Sequence, residues 1–197
     1  MIASPSSLPN VSPVVRRLAA ALAAIVVASG AAGAQTTAAR PAAAVVVTDT
    51  ICAQANFRRF DYWAGDWVVK DSAGKEIGTN RVTRDVNGCG LHEHWASKGT
   101  EIGESFTAYS PNDRKWHQMY VGSGGYIFVM SGTFDGDKLV LFTAPRPAMR
   151  DPKLTVVERW TWTPLDASHV RQRAEMTTDG GATWTTQFNG IYERATN

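Results

Sequence analysis

The chain has 197 residues, a length typical of one globular domain and short for two. Its 44% hydrophobic and 19% charged residues exclude a disordered chain. The net charge of +2 comes from Arg16 and Arg17, because positive and negative side chains are equal in number from residue 35 onward. This balance, without any basic run, argues against binding of nucleic acid and against electrostatic attachment to a membrane.

The first 34 residues have the pattern of an export signal. The arginine pair precedes the apolar run Leu18–Ala28, and small residues follow at the positions that a signal peptidase reads, ending at Ala34. The apolar run is too short to span a bilayer, which needs ~20 residues. The pattern predicts a signal peptide over 1–34 and a flexible leader over 35–51. We therefore expect a periplasmic or secreted protein without a membrane anchor.

Two cysteines, Cys52 and Cys89, lie in the part that is predicted to be exported. An even number of cysteines in an oxidising compartment predicts a disulfide, and two free thiols are the alternative. The bridge would close a loop of 37 residues and contribute about 4 kcal/mol of stability. The absence of a C-x-x-C spacing argues against redox catalysis.

From residue 66 to the end, strand-like segments alternate with turn residues such as Asn87-Gly88 and Asp135-Gly136. Helical signals are confined to residues 53–64. Regularly spaced strands predict an all-β domain over 52–197, either a sandwich or an up-and-down barrel, and the lack of repeats argues against a propeller. The ten predicted strands are 67–71, 77–86, 91–96, 102–109, 115–121, 126–133, 138–143, 154–163, 169–178 and 183–194.

Alternation along each strand assigns side chains to the two faces of the sheet. Glu93 and Trp95 share one face with Leu91, while His92 and His94 point the other way. The same rule places on the inner face Trp116, Gln118 and Tyr120, then Leu154, Val156, Glu158, Trp160 and Trp162, then Val170, Gln172, Ala174 and Met176, and finally Trp184, Phe188 and Tyr192.

A set of motifs spread over the chain resembles a known family. The set comprises Phe60-Asp-Tyr-Trp-Ala-Gly-Asp-Trp67, Gly88-Cys-x-Leu-x-Glu93-x-Trp95, Trp116-x-Gln-x-Tyr120, Arg159-Trp-Thr-Trp162, Asp179-Gly-Gly-x-Thr-Trp184 and Gly190-x-Tyr192. Between residues 52 and 194 the chain is similar to small bacterial calycin-like, or lipocalin-like, barrels of unknown function. The resemblance implies a single antiparallel up-and-down barrel of about ten strands, with Trp67 packed across its base beneath a short N-terminal helical turn. Haem-binding relatives use a histidine on a late strand, which His169 does not match, so we expect no cofactor.

The inner face supplies the candidate ligand site. It combines aromatic rings, which offer apolar area, with a few polar groups that can orient a ligand. The predicted site residues are Glu93, Trp95, Trp116, Gln118, Tyr120, Glu158 and Trp160. Because small barrels of this kind can hold one ligand, we expect a small, partly apolar molecule in the interior. Buried carboxylates require partners, and the candidates are Arg81, Arg84, Arg159, Gln118, Gln172 and the tyrosine hydroxyls.

Other functions stay open at this point. The polar residues could be a satisfied network in a filled barrel with a structural or interaction role. An enzyme could use the two carboxylates, or a metal held by His92, His94 and His117 if these pointed inward. No nucleophile or phosphate-loop motif occurs, so a binding role is favoured over catalysis. The segment from Thr177 to Trp184 fits an Asp-box and predicts a stiff hairpin; the oligomeric state is open.

Overall fold

The computed structural model describes residues 51–196. The predicted signal peptide and its cleavage site, and the leader as far as residue 50, lie outside the described residues. The described part begins with a 3-10 turn (Ile51–Ala53), helix α1 (Ala55–Arg58) and a second 3-10 turn (Asp61–Trp63). This confirms the predicted short helical segment before the first strand. No helix within residues 51–196 is long and apolar enough to cross a membrane.

Ten strands of six to ten residues and one strand of two residues follow. They are β1 (Gly65–Lys70), β2 (Glu76–Asp85), β3 (Gly90–Ser97), β4 (Ile102–Ser110), β5 (Lys115–Gly122), β6 (Tyr126–Asp135), β7 (Lys138–Thr143), β8 (Arg146–Pro147), β9 (Thr155–Pro164), β10 (His169–Thr177) and β11 (Thr185–Arg194). The long strands lie within two residues of their predicted ends, because turn residues mark the ends clearly. Gly136, with φ of 57°, allows the tight turn between β6 and β7. The sequence did not predict β8, which lies in the proline-containing segment between β7 and β9.

The strands close into a barrel. Each long strand pairs antiparallel with the next, β7 pairs with β9 across the long loop, and β11 pairs with β1. Trp160 of β9 lies opposite Leu141 of β7 on one side and Ala174 of β10 on the other. The ten-stranded up-and-down barrel is therefore confirmed, and the sandwich alternative is wrong. The short β8 pairs with the first part of β9.

Aromatic side chains fill one end of the barrel, which we call the base. Trp67 is buried and donates a hydrogen bond from Nε1 to the carbonyl oxygen of Trp63 at 2.9 Å. The ring of Phe60 stacks on Trp63 at 5.0 Å and meets the edges of Trp162 at 5.6 Å and Trp116 at 5.7 Å. Residues 51–63 thus close the base as a plug, and Trp67 lies at the base, as the family resemblance implied.

The disulfide ties this plug to the barrel. Cys52 in the first 3-10 turn is bonded to Cys89, just before β3, with their Cα atoms 4.9 Å apart. An ion pair between Asp61 and Arg84 of β2 adds a second tie between the plug and the wall. The predicted disulfide is confirmed, and disulfides of this kind persist in oxidising compartments.

Two predicted inward residues lie elsewhere. Trp184 packs outside the barrel, with the Arg159 guanidinium 4.2 Å from its ring centre. A register shift between β10 and β11 inserts one extra residue before Phe188, and this reverses the alternation. Leu154 precedes β9 and is 47% exposed, so the alternation of that strand does not extend to it.

The Asp-box segment from Thr177 to Trp184 forms a hydrogen-bonded turn between β10 and β11. Asp179 accepts hydrogen bonds from the amide of Thr183 at 2.9 Å and from its hydroxyl at 2.6 Å. These hydrogen bonds hold the pKa of Asp179 well below its usual value. Trp184 Nε1 donates to the carbonyl oxygen of Gly181 at 3.1 Å, which fixes the indole beside the turn.

Candidate functional site

The barrel holds an interior cavity of about 310 Å³ above the base. It lies towards the end opposite the N-terminal plug, which we call the mouth. The lining residues are Glu93, Trp95, Glu101, Gln118, Tyr120, Tyr126, Phe128, Met130, Glu158, Trp160, Gln172, Ala174, Met176, Gln187, Phe188 and Tyr192. Gln187 is exposed, so the cavity reaches the surface there. Seven of these sixteen residues are aromatic and six are Glu or Gln, so the wall combines apolar area with polar groups that can orient a small molecule.

Six of the seven predicted site residues line this cavity: Glu93, Trp95, Gln118, Tyr120, Glu158 and Trp160. Trp116 does not line the cavity. It is the inward-facing residue of β5 next to Gln118 on the side of the base, where it contacts Phe60 and Phe134. Alternation gives the face of a strand, but two residues advance the chain by about 7 Å. Trp116 and Gln118 therefore face inward at different heights.

Several lining residues were not predicted from the sequence. Tyr126, Phe128 and Met130 alternate on β6 and could have been found by the rule that was applied to β3 and β5. Glu101 lies in the loop between β3 and β4, where no periodic pattern exists to reveal it.

Glu93 is the most buried acid of the cavity, at 3% exposure. Its carboxylate accepts hydrogen bonds from Asn80 Nδ2 at 2.9 Å and from Ser105 Oγ at 2.6 Å. Burial raises the pKa of Glu93 to about 7, although these two hydrogen bonds act in the opposite direction. Gln118 extends the network by donating to Thr107 Oγ1 at 2.8 Å.

The arginines suggested as partners of Glu93 lie elsewhere. Arg81 faces Asp66, Arg84 pairs with Asp61, and Arg159 donates to Glu175 at 2.7 Å. Arg81 lies opposite the outward-facing His94, and Arg159 lies between Glu158 and Trp160, which line the cavity, so alternation turns both arginines outward. Amide and hydroxyl groups therefore hold this carboxylate without a positive charge.

Glu158 has a charged partner. Its carboxylate pairs with Arg146 of β8 and accepts a hydrogen bond from Trp160 Nε1 at 3.2 Å. The Arg146 guanidinium also lies 5.3 Å from the centre of the Phe128 ring. Arg146 comes from the loop between β7 and β9, so only the folded chain brings it to Glu158.

A third acid, Glu101, lies among aromatic rings at the mouth. Its carboxylate accepts hydrogen bonds from the hydroxyls of Tyr120 and Tyr126, the first at 3.3 Å. Burial, and then the negative charge of Glu101, raise the pKa of Tyr120 well above its usual value. Burial, followed by the hydrogen bond to Glu101 and its charge, raises the pKa of Tyr126 to about 12. Both phenols therefore stay protonated and act as donors.

The aromatic rings at the mouth form a continuous row. Tyr120 stacks against Tyr126 at 6.2 Å and against Phe128 at 6.3 Å, and Phe128 lies 5.9 Å from Trp160. Gly103 of β4 leaves room for this row, because a Cβ atom there would overlap the Tyr120 ring. This row gives a ligand a broad apolar wall.

The histidines lie outside the barrel. His92 and His94 both contact Glu104, at 2.8 Å and 2.5 Å, and His117 contacts Asp113 at 2.9 Å. His117 does not share the partner of His92 and His94, and residues 51–196 contain no cluster of three or more side chains suited to a metal ion. The outward direction of the histidines follows from the inward direction of Glu93, Trp95 and Gln118.

No protein-family model and no curated protein sequence matches the chain.

Proposed function

We propose that this protein is an exported, calycin-like barrel that binds a small, partly apolar ligand in its interior. The observation that carries the proposal is the cavity of about 310 Å³, whose lining combines seven aromatic residues with three acidic ones, Glu93, Glu101 and Glu158. Preformed apolar cavities with a few oriented polar groups are typical of ligand sites. Export is supported by the arginine pair with its apolar run, and by the Cys52–Cys89 disulfide.

A structural or interaction domain with a filled barrel is the alternative. Tight packing at the base fits that alternative as well as it fits a ligand carrier. The cavity nearer the mouth weighs against it, because packed protein interiors leave few voids larger than a water molecule. A binding role is therefore the better account of the mouth half of the barrel.

The test uses a neutral probe whose fluorescence rises in apolar surroundings, N-phenyl-1-naphthylamine. We expect saturable binding to the wild-type protein and loss of binding in Ala174→Phe, which places a ring in the cavity. Ala108→Phe is the matched control, since Ala108 is exposed on β4. Far-UV circular dichroism shows that each variant is folded. Absence of saturable binding to the wild-type protein, or equal binding by both variants, would refute the proposal.

Native mass spectrometry of protein purified from the periplasm of its own source provides a second measurement. A ligand that fits the cavity should remain bound under gentle ionisation. Denaturation should release it from the wild-type protein, and Ala174→Phe should carry less of it than Ala108→Phe.

A further inference from the structure

The acids that line the cavity outnumber the bases. Three carboxylates, Glu93, Glu101 and Glu158, line it, and the lining includes no lysine, arginine or histidine among the described residues. Arg146, just outside the lining, neutralises Glu158. Glu93 and Glu101 are therefore the two acids of the lining that a ligand could neutralise.

The other two carboxylates are held by neutral groups. Within residues 51–196, the side chains that hydrogen-bond to Glu93 are an amide and a hydroxyl, and those that hydrogen-bond to Glu101 are two phenols. A carboxylate in a water-poor site is stabilised far more by a positive charge than by a neutral donor. An anionic ligand would meet repulsion in the same place, since the nearby guanidinium of Arg146 is already paired with Glu158.

The aromatic row beside Glu101 is also suited to binding a positive charge. Ring faces attract cations that lie within about 6 Å of their centres. One cation of the chain already uses this wall, because Arg146 lies 5.3 Å from the centre of Phe128. Tyr120 and Tyr126 place two more rings next to the Glu101 carboxylate.

We propose that the ligand of this barrel carries a positively charged nitrogen, held at the mouth between the Glu101 carboxylate and the rings of Tyr120, Tyr126 and Phe128. The ligand class is a small ammonium compound with an apolar body that reaches towards Trp95 and Met130. This proposal rests on the proposed function, because it assigns the charge of the molecule that the cavity takes.

Two probes of equal shape separate charge from size. Phenyltrimethylammonium and tert-butylbenzene differ in having a charged nitrogen or a neutral carbon at the branch point. Each is titrated against N-phenyl-1-naphthylamine bound to the wild-type protein at about pH 8, where Glu93, with a pKa of about 7, is mostly ionised. We expect the cation to displace the probe at a concentration about tenfold lower than its neutral analogue.

Two variants assign the effect to Glu101. Glu101→Gln keeps the shape and the acceptor oxygen but removes the charge, and it should reduce the preference for the cation several-fold. Glu104→Gln removes one negative charge from the outer face of β4, where Glu104 contacts His92 and His94, and should leave the preference unchanged.

Each outcome decides between the two proposals. If tert-butylbenzene displaces the probe as well as or better than the cation, or if neither compound displaces it, the charge assignment is wrong while the binding function stands. If both variants lose the preference equally, the position at Glu101 is wrong. If N-phenyl-1-naphthylamine itself does not bind, the proposed function fails first. The wild-type comparison does not depend on either variant being folded.

Discussion

Replacing Glu93 by Gln tests the electrostatics of the barrel interior. Burial raises the pKa of Glu93 from 4.5 to about 7 in the folded protein. The unfolded chain releases this proton at about pH 4.5, whereas the folded chain keeps it until about pH 7. The Glu93 contribution to the free energy of unfolding is therefore fully present below about pH 4.5 and is lost as the pH rises to about 7.

The size of the effect follows from the difference between the two pKa values. One pKa unit corresponds to about 1.4 kcal/mol, so ionisation of Glu93 should destabilise the fold by about 3 kcal/mol at pH 8. Glutamine resembles the protonated acid: its oxygen can accept from Asn80, and its amide can donate to Ser105. Glu93→Gln should thus remove this loss of stability and raise the melting temperature at about pH 8 by roughly 10 °C.

The assay is urea denaturation of both proteins, followed by tryptophan fluorescence from about pH 4 to about pH 9. The difference between the two curves isolates Glu93, because every other titration is shared. If repacking around the Glu93→Gln side chain changes the free energy of unfolding by a constant amount, the slope of this difference against pH stays the same. Parallel stability curves between about pH 4.5 and about pH 7, or a wild-type advantage that grows with pH, would refute the reasoning.

Three further predictions concern the plug, the disulfide and export. Trp67→Ala should lower the free energy of unfolding by about 3–5 kcal/mol, and more than Trp184→Ala does on the outer surface; an unchanged melting temperature would contradict the role of Trp67 at the base. Reduction of the Cys52–Cys89 disulfide should cost about 4 kcal/mol in denaturant titrations, and two reactive thiols in the unfolded, unreduced protein would exclude the bond. Intact mass measurement should show that the exported protein lacks residues 1–34, and their retention would contradict cleavage after Ala34.

The sequence alone determined the strands and their inward faces. Turn residues such as Gly136 mark where strands end, and alternation along β3 turns Glu93 and Trp95 inward with His92 outward. Both signals are local, since they depend on the backbone conformation of a turn and on the two-residue period of a strand. The disulfide was also predictable, because the sequence contains two cysteines and the predicted oxidising compartment favours their pairing.

The tertiary structure decided the position of each side chain between the base and the mouth of the barrel, and the contacts between distant segments. Period-two alternation could not separate Trp116 at the base from Gln118 in the cavity, nor could it anticipate the extra residue that turns Trp184 outward. Glu101 reaches the mouth from a loop and Arg146 from the two-residue strand β8, and neither segment has a repeating pattern that reveals its direction. Closure of β9 onto both β7 and β10 sets which groups meet across the interior, and this depends on long-range pairing that no local signal encodes.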